Sequence, residues 1–535
     1  MLKKLFNSKS RTITSAAIIL AATSFISRLL GVLRDRILAG EFGAGLELDM
    51  YYAAFRIPDL VFNLLVLGAL SAGFIPVFTG YLKNRKKAWQ LVNVVLNVLF
   101  VTLTLILGVL IILAPWLVKI IAPGFSKEQL EITAGLTRIM FLSPVLLGIS
   151  GIFGSVLQSF KRFFVYSLAP ILYNIGIIIG ALFFVPILGI YGLAWGVVFG
   201  TILHLLIQLP VVFSLGYKYK WEINLSHPGM LRIFKMMVPR TLGLVTSQVN
   251  LLIVTIIGST LAAGSITIFN LANNIQSFPL GLFAISFAIA AFPTFSQLAN
   301  KKKQLIETIS STIRQILFYI VPASALLIVL RAQVVRVILG SGRFNWEDTV
   351  LTLNTLTWFA ISLFAQGLIL VLARAFYAKQ DSNTPFYTGL VSAFTNIVLA
   401  VMLIDHMGVA GLALAFSLSN ILNFFLLTII LHYRLGGLDE KRIFFSFVKI
   451  IVATFMLSIV AQAIKYPMVK IMGLHTFLGI SAQMLAATAG GLLAYFLTCW
   501  FLKSQELLML IETLKKRMFK QPTIPEEIIE KEKLT

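Results

Sequence analysis

The segment SRLLGVLRDRILAGEFGAG, residues 27–45, sets Arg28, Arg34, Asp35 and Arg36 directly after residues 15–26, a stretch without a charged residue. An arginine at mid-membrane costs roughly 2.5–3.5 kcal/mol on insertion scales, so it is expected to face a cavity or a partner. Arg28 and Asp35 are seven residues apart, two helical turns, and share a helix face. The next apolar stretch repeats the device, with Asp49, Arg56 and Asn63 spaced by seven and Tyr52 on the same stripe. Two arrangements are open. The acids neutralise the arginines within each helix, Arg28 with Asp35 and Asp49 with Arg56, while the other cations reach the interface along their apolar stems. Alternatively the stripes line a cavity, where their surplus of arginine over acid holds an anion. Guanidinium forks match phosphate oxygens bidentately, which points to a phosphorylated ligand.

A third stretch carries Asn270, Asn273, Asn274, Gln276 and Ser277, neutral donors and acceptors that suit sugar or amide groups. Asparagines of this kind also serve as glue between membrane helices. Metal and enzyme chemistry find no support. The five histidines lack ligand spacing, there is no phosphate-binding glycine loop, and no acidic pair recurs as Mg-dependent prenyl transfer requires.

The elements that position these residues follow from composition. Of 535 residues, 58% are hydrophobic and only 12% charged, about half the charged share of soluble domains. The chain is therefore an integral membrane protein, and apolar runs of about 20 residues without alternation select helices over a barrel. Fourteen spans are expected, near 14–38, 48–80, 89–118, 131–159, 165–185, 188–214, 234–261, 267–297, 308–338, 350–378, 385–404, 408–432, 445–466 and 476–502. The net charge of +23 lies mostly in short loops such as 83–87, 161–162, 218–235 and 301–303, which is a topology signal and excludes a nucleic-acid partner. It places both termini in the cytoplasm. The basic loop after the first span is the exception. The lone Cys499 forms no intramolecular disulfide.

An internal repeat organises the spans. GIYGLAWGVV at 189–198 resembles GVAGLALAFS at 408–417, and Ala44-Gly45 resembles Ala263-Gly264, both at an offset of 219 residues. Each copy holds six spans, so the copies share an orientation and are expected to be related by an axis along the membrane normal. The expected fold class is an all-α polytopic membrane protein: two pseudo-symmetric six-helix lobes, 1–214 and 234–432, joined by a cytoplasmic linker at 215–233. A helix pair at 433–502 and a charged cytoplasmic tail at 503–535 follow.

SRLLGVLRDRILAGEFGAG with LDMYYAAFRIPDL resembles the start of the MurJ (MviN) family of lipid II flippases, within the multidrug/oligosaccharidyl-lipid/polysaccharide exporter superfamily. The similarity continues through IIAPGF, SVLQSFKRFFVYSLAPILYNIG, LGSGRFNWEDTV and RAFYAKQDSNTP. The resemblance implies a bacterial cytoplasmic-membrane transporter that moves an undecaprenyl-diphosphate-linked disaccharide pentapeptide to the outer leaflet by alternating access. It implies no ATP, a coupling cation or the membrane potential, a lipid-tail groove along the last two spans, and a monomer among membrane lipids. Residue by residue, it implies that Arg28, Arg34 and Arg56 hold the diphosphate, and that Asp49 orients arginine or senses the cation. Lys379, Gln380 and Asp381 fall in a cytoplasmic loop expected to act as gate. This chain departs from the family pattern at Phe62 and Asn63, where the family has Arg-Arg, and at Leu67, where it has an acid. It departs again at Asn273 and Asn274, where the family has Asp-Arg. Arg240 and Arg374 are candidates to compensate.

Other readings of the same residues are a flippase for another polyprenyl-diphosphate-linked glycan, a drug/cation antiporter, or a non-transporting cell-wall scaffold. The antiporter fits least, because its cargo favours acids over arginines.

Overall fold

A computed structural model describes residues 13–67, 73–473 and 476–518. The described residues are helical between short turns. Among the described residues ten helices are long and apolar enough to cross a membrane, and the pair Trp346–Ile361 and Leu363–Ala378, bent by 43°, makes an eleventh when counted as one span. They match the third to sixth and eighth to fourteenth expected spans. The expected spans 14–38, 48–80 and 234–261 each run through residues or side chains outside those described, so they stand outside that count. The N-terminal cations and the end of the tail lie outside it as well. One boundary is corrected: the expected span 308–338 is two helices, Lys302–Val329 and Arg331–Leu339, parted at Leu330.

The 219-residue offset recurs in the local chemistry of chain ends. Ser126 and Asn345 each open a helix with a reciprocal capping box, closed by Gln129 and Asp348. A side-chain oxygen that accepts from the third backbone N–H satisfies a donor that the helix cannot. Gly189 and Gly408 are also 219 apart, and both turn the chain at positive φ, 58° and 55°. The π-helical turns Phe62–Leu67 and Leu280–Ala284 overlap at the same offset.

Contacts between the repeats are related in the same way. Gly124 N–H donates to Ser259 Oγ at 3.2 Å, and Arg343 N–H donates to the Gly40 carbonyl at 2.8 Å. Residue 343 is the repeat-mate of 124, and 40 is the mate of 259. The same two repeat positions are thus joined in both copies, through a side-chain hydroxyl in one and a backbone carbonyl in the other.

The chain forms two compact units. One holds Met1–Phe278, Arg331–Gln366 and Gln380–Leu427. Within it, the fifth and sixth spans meet through Gly176, Gly180, Gly192, Gly196 and Gly200, where an added Cβ would fall on the facing backbone. Small residues every fourth position let membrane helices approach this closely. The segment after the sixth span is strapped along helix Arg85–Ile121. Asn93 donates to the Lys218 carbonyl at 3.1 Å, and Asn97 to those of Lys220 and Glu222 at 2.9 and 3.1 Å.

The other unit holds Pro279–Leu330, Gly367–Lys379 and Thr428–Thr535. Its core packs Phe318 against Tyr495, whose hydroxyl donates to the Phe318 carbonyl at 2.7 Å. Arg314, inside the ninth span, pairs with Glu506 of the helix Gln505–Met518 at 2.6 Å, with both side chains buried.

Candidate functional site

The polar stripes of the first, second and eighth spans come together in the first unit, but not by the pairings that spacing suggests. Asp35 does not hold Arg28. Its Oδ1 accepts from Nη2 and Nε of its neighbour Arg34 at 2.8 and 3.0 Å, and Oδ2 accepts from Asn274 Nδ2 at 2.9 Å. Arg34 also donates to Asn174 Oδ1 at 3.1 Å. Residues seven apart share a face but stand about 10 Å apart along the axis. Arg28 is half-buried and has no hydrogen-bond or ion-pair partner among the described residues.

Arg56 likewise does not meet Asp49. Its Nε donates to Thr255 Oγ1 and its Nη2 to Asn270 Oδ1, both at 2.7 Å. Those partners are neutral. Asp49, 2% exposed, instead caps the start of helix Ser265–Pro279. Its carboxylate accepts from Gly264 N–H, Thr267 N–H and Thr267 Oγ1, each at 2.7 Å. A carboxylate among the free N–H groups of a helix start is favoured by hydrogen bonding and by the helix dipole. Among the described residues Asp49 therefore makes no hydrogen bond or ion pair with an arginine, and in this structure it serves as a helix cap.

Asn63 is used within its own helix and donates to the Asp59 carbonyl at 2.9 Å. Asn273 accepts from Gln276 at 2.9 Å and begins a buried relay through Gln366 and Ser362 to Ser417. Of these two asparagines, only Asn274 thus hydrogen-bonds into the arginine cluster. Arg36 donates to the Val337 carbonyl at 2.6 Å and helps hold the end of the first helix to the Arg331–Leu339 helix. The Arg240 side chain lies outside the described residues. Arg374 donates weakly to the Leu370 carbonyl of its own helix, at 3.5 Å.

In the loop expected to act as gate, Gln380 adopts φ 60° and Asp381 receives Thr384 N–H at 3.0 Å and Thr384 Oγ1 at 2.6 Å, opening the next helix. Lys379 N–H caps the preceding helix through the Phe376 carbonyl at 2.9 Å. The boundary between the two compact units passes between Lys379 and Gln380.

Sequence reasoning missed Asp59, Asn174, Thr255 and His204. Asp59 and His204 line a cavity of about 230 Å³ with Phe55, Pro58 and Tyr173. The signal for Asp59 was its position one turn beyond Arg56, on the span already singled out. Asp35 neutralises Arg34. Among the described residues no acid is hydrogen-bonded to Arg28 or Arg56, although the Asp59 carboxylate, one turn beyond Arg56, lies close enough to act on its charge. The buried Tyr52 hydroxyl has no hydrogen-bond partner among the described residues. Two guanidiniums and neutral hydrogen-bonding groups can receive an anion bearing polar substituents.

The family model for the lipid II flippase MurJ matches residues 38–483. A probable lipid II flippase MurJ of Buchnera aphidicola subsp. Schizaphis graminum is 31% identical over 450 residues, covering 81% of this chain and 87% of that relative. Among solved structures, a lipid II flippase MurJ in an inward closed conformation superposes with a TM-score of 0.76 at 23% identity, covering 91% of this chain and 99% of that one. An inward-facing multidrug-resistance MATE transporter of the MOP superfamily superposes with a TM-score of 0.67 at 13% identity, covering 79% and 99%. The two structures share the fold, and the match over most of the sequence carries the assignment: this chain belongs to the MurJ lipid II flippase family.

Proposed function

We propose that this protein moves lipid II, the polyprenyl-diphosphate-linked precursor of the cell wall, from the cytoplasmic to the outer leaflet of the bacterial cytoplasmic membrane. The observation that carries this reading, beside family membership, is the pair Arg28 and Arg56, cationic side chains on apolar helices with no acid hydrogen-bonded to them. They would hold the diphosphate, with Arg34 completing the site when Asp35 releases it. Asn63, Asn273 and Asn274 would meet sugar or amide groups.

Both termini would face the cytoplasm, with fourteen spans in lobes 1–214 and 234–432 that rock about the linker 215–233. Residues 433–502 would guide the lipid tail, and the loop with Lys379, Gln380 and Asp381 would gate the cytoplasmic side. The protein would act as a monomer, transporting without chemical catalysis and driven by a cation gradient or the membrane potential. The neutral Asn273-Asn274 pair favours one second reading, a flippase for a different polyprenyl-diphosphate-linked glycan. Rescue of a bacterium depleted of its own lipid II flippase tests the choice. Growth with the wild-type chain supports lipid II, and failure despite good membrane expression supports the other glycan.

A further inference from the structure

A second cationic site lies away from the arginine cluster. The end of the second span, helix Ile75–Tyr81, the start of helix Arg85–Ile121 and the first turns of helix Pro228–Ser259 enclose a cavity of about 380 Å³. The exposed Lys83, Lys87 and Arg232 line it together with Pro76, Val77 and Met236. No carboxylate lines it, and among the described residues none of the three cations has a side-chain hydrogen bond or ion pair. The acid nearest in the adjoining linker, Glu222, is held by Gln90. Arg85, another cation of the turn, lies over the Phe160 ring at 5.7 Å.

The walls are fixed by contacts of their own. Tyr81 packs on His227 with ring centroids 5.9 Å apart, and His227 Nδ1 accepts from Gly229 N–H at 3.1 Å. Asn84 Oδ1 accepts from Lys87 N–H at 3.2 Å, which holds the lysine at the start of its helix. Three cations beside an apolar wall, at the span ends that loop charge assigns to the cytoplasm, complement a phosphate attached to an apolar tail.

We propose that this cavity binds the phosphate headgroup of an anionic glycerophospholipid, with its acyl chain along Pro76, Val77 and Met236. The proposal does not depend on the cargo carried at the arginine cluster.

The test titrates the purified full chain in non-ionic detergent with dihexanoyl phosphatidylglycerol, dihexanoyl phosphatidylcholine or inorganic phosphate, reading bound adducts by native mass spectrometry. Phosphatidylglycerol should bind saturably, and phosphatidylcholine and inorganic phosphate at least tenfold more weakly. With about 1 kcal/mol for each basic residue near a charged lipid, Lys87→Gln should weaken binding roughly fivefold. The triple change Lys83→Gln, Lys87→Gln, Arg232→Gln should weaken it on the order of a hundredfold. A control removing the same charge elsewhere, Lys301→Gln, Lys302→Gln, Lys303→Gln, should bind as wild type does. Wild-type affinity in the triple variant, an equal loss in the control, or inorganic phosphate binding as tightly as phosphatidylglycerol would each overturn the proposal.

Discussion

Asn274 donates a 2.9 Å hydrogen bond to the Asp35 oxygen that Arg34 does not use. Asp35 is thereby shared between an arginine of the first span and a neutral amide of the eighth. Placing a cation there, Asn274→Arg, should draw Asp35 partly away from Arg34 and strengthen binding of a soluble diphosphate. A charge-assisted hydrogen bond contributes about 1.5–3 kcal/mol, so the gain expected is roughly ten- to a hundredfold. Isothermal titration of the purified variant with pyrophosphate checks it, and unchanged affinity would mean that residue 274 does not face the anion.

Asp49 is a helix cap in this structure, which separates a structural from a signalling role. Asp49→Ala strips the buried Gly264 and Thr267 N–H groups of their acceptor, at a cost of about 1–3 kcal/mol for each group left unmade. Asp49→Asn keeps one acceptor oxygen and should cost less. Thermal melting of both variants should rank wild type above Asn above Ala, with transport following the same order. Full stability with abolished transport in Asp49→Asn would show that the charge itself is read, as a cation sensor requires.

The glycines of the fifth and sixth spans and those of the repeat turns fail for different reasons. Gly180→Ala pushes a Cβ into the Gly196 backbone, so the two helices must separate and the folded yield should fall sharply. At Gly189 there is open space, and only the positive φ opposes a side chain. Gly189→Ala and its repeat-mate Gly408→Ala should each cost about 1–3 kcal/mol and should match one another. Melting midpoints of the three variants decide the matter.

Glu506 makes part of the stability depend on pH. Burial alone would raise its carboxyl, but the Ser504 hydroxyl, its own backbone N–H and the Arg314 guanidinium together hold it below the usual carboxylate range. A carboxyl more acidic folded than unfolded stabilises fully above that range, and the contribution is lost as pH falls through it. The protection of helix Gln505–Met518 against hydrogen exchange, taken relative to the intrinsic rate, should therefore fall as pH drops through and below the usual carboxylate range, and Glu506→Gln should remove the dependence. Glu506→Ala leaves Arg314 buried and unpaired, a loss of about 3–5 kcal/mol, seen as release of the same helix to protease.

Much of the architecture was legible because membrane helices write their length and order directly into hydropathy. The 219-residue offset, read from a few glycines, reappears as paired capping boxes and paired left-handed turns, since those positions need particular residue types locally. Partners were not legible. The acceptor for Gly264 lies 215 residues away at Asp49, and no periodicity within one helix reports it. Shared helix faces suggested Arg28–Asp35 and Asp49–Arg56, whereas adjacency and tertiary packing gave Arg34–Asp35 and Arg56–Asn270. The pair Arg314–Glu506 was not legible either, because Glu506 sits in the tail, where a charge usually means solvent.

The central claim is that Arg28 and Arg56 hold the diphosphate of lipid II, and reconstituted vesicles test it most directly. Wild-type protein in proteoliposomes carrying fluorescent lipid II should move it between leaflets, read as the fraction exposed to a membrane-impermeant quencher. Arg28→Ala and Arg56→Ala should slow this at least tenfold, whereas the Lys301, Lys302 and Lys303 control should leave it unchanged. Transport at the wild-type rate in both arginine variants would contradict the account.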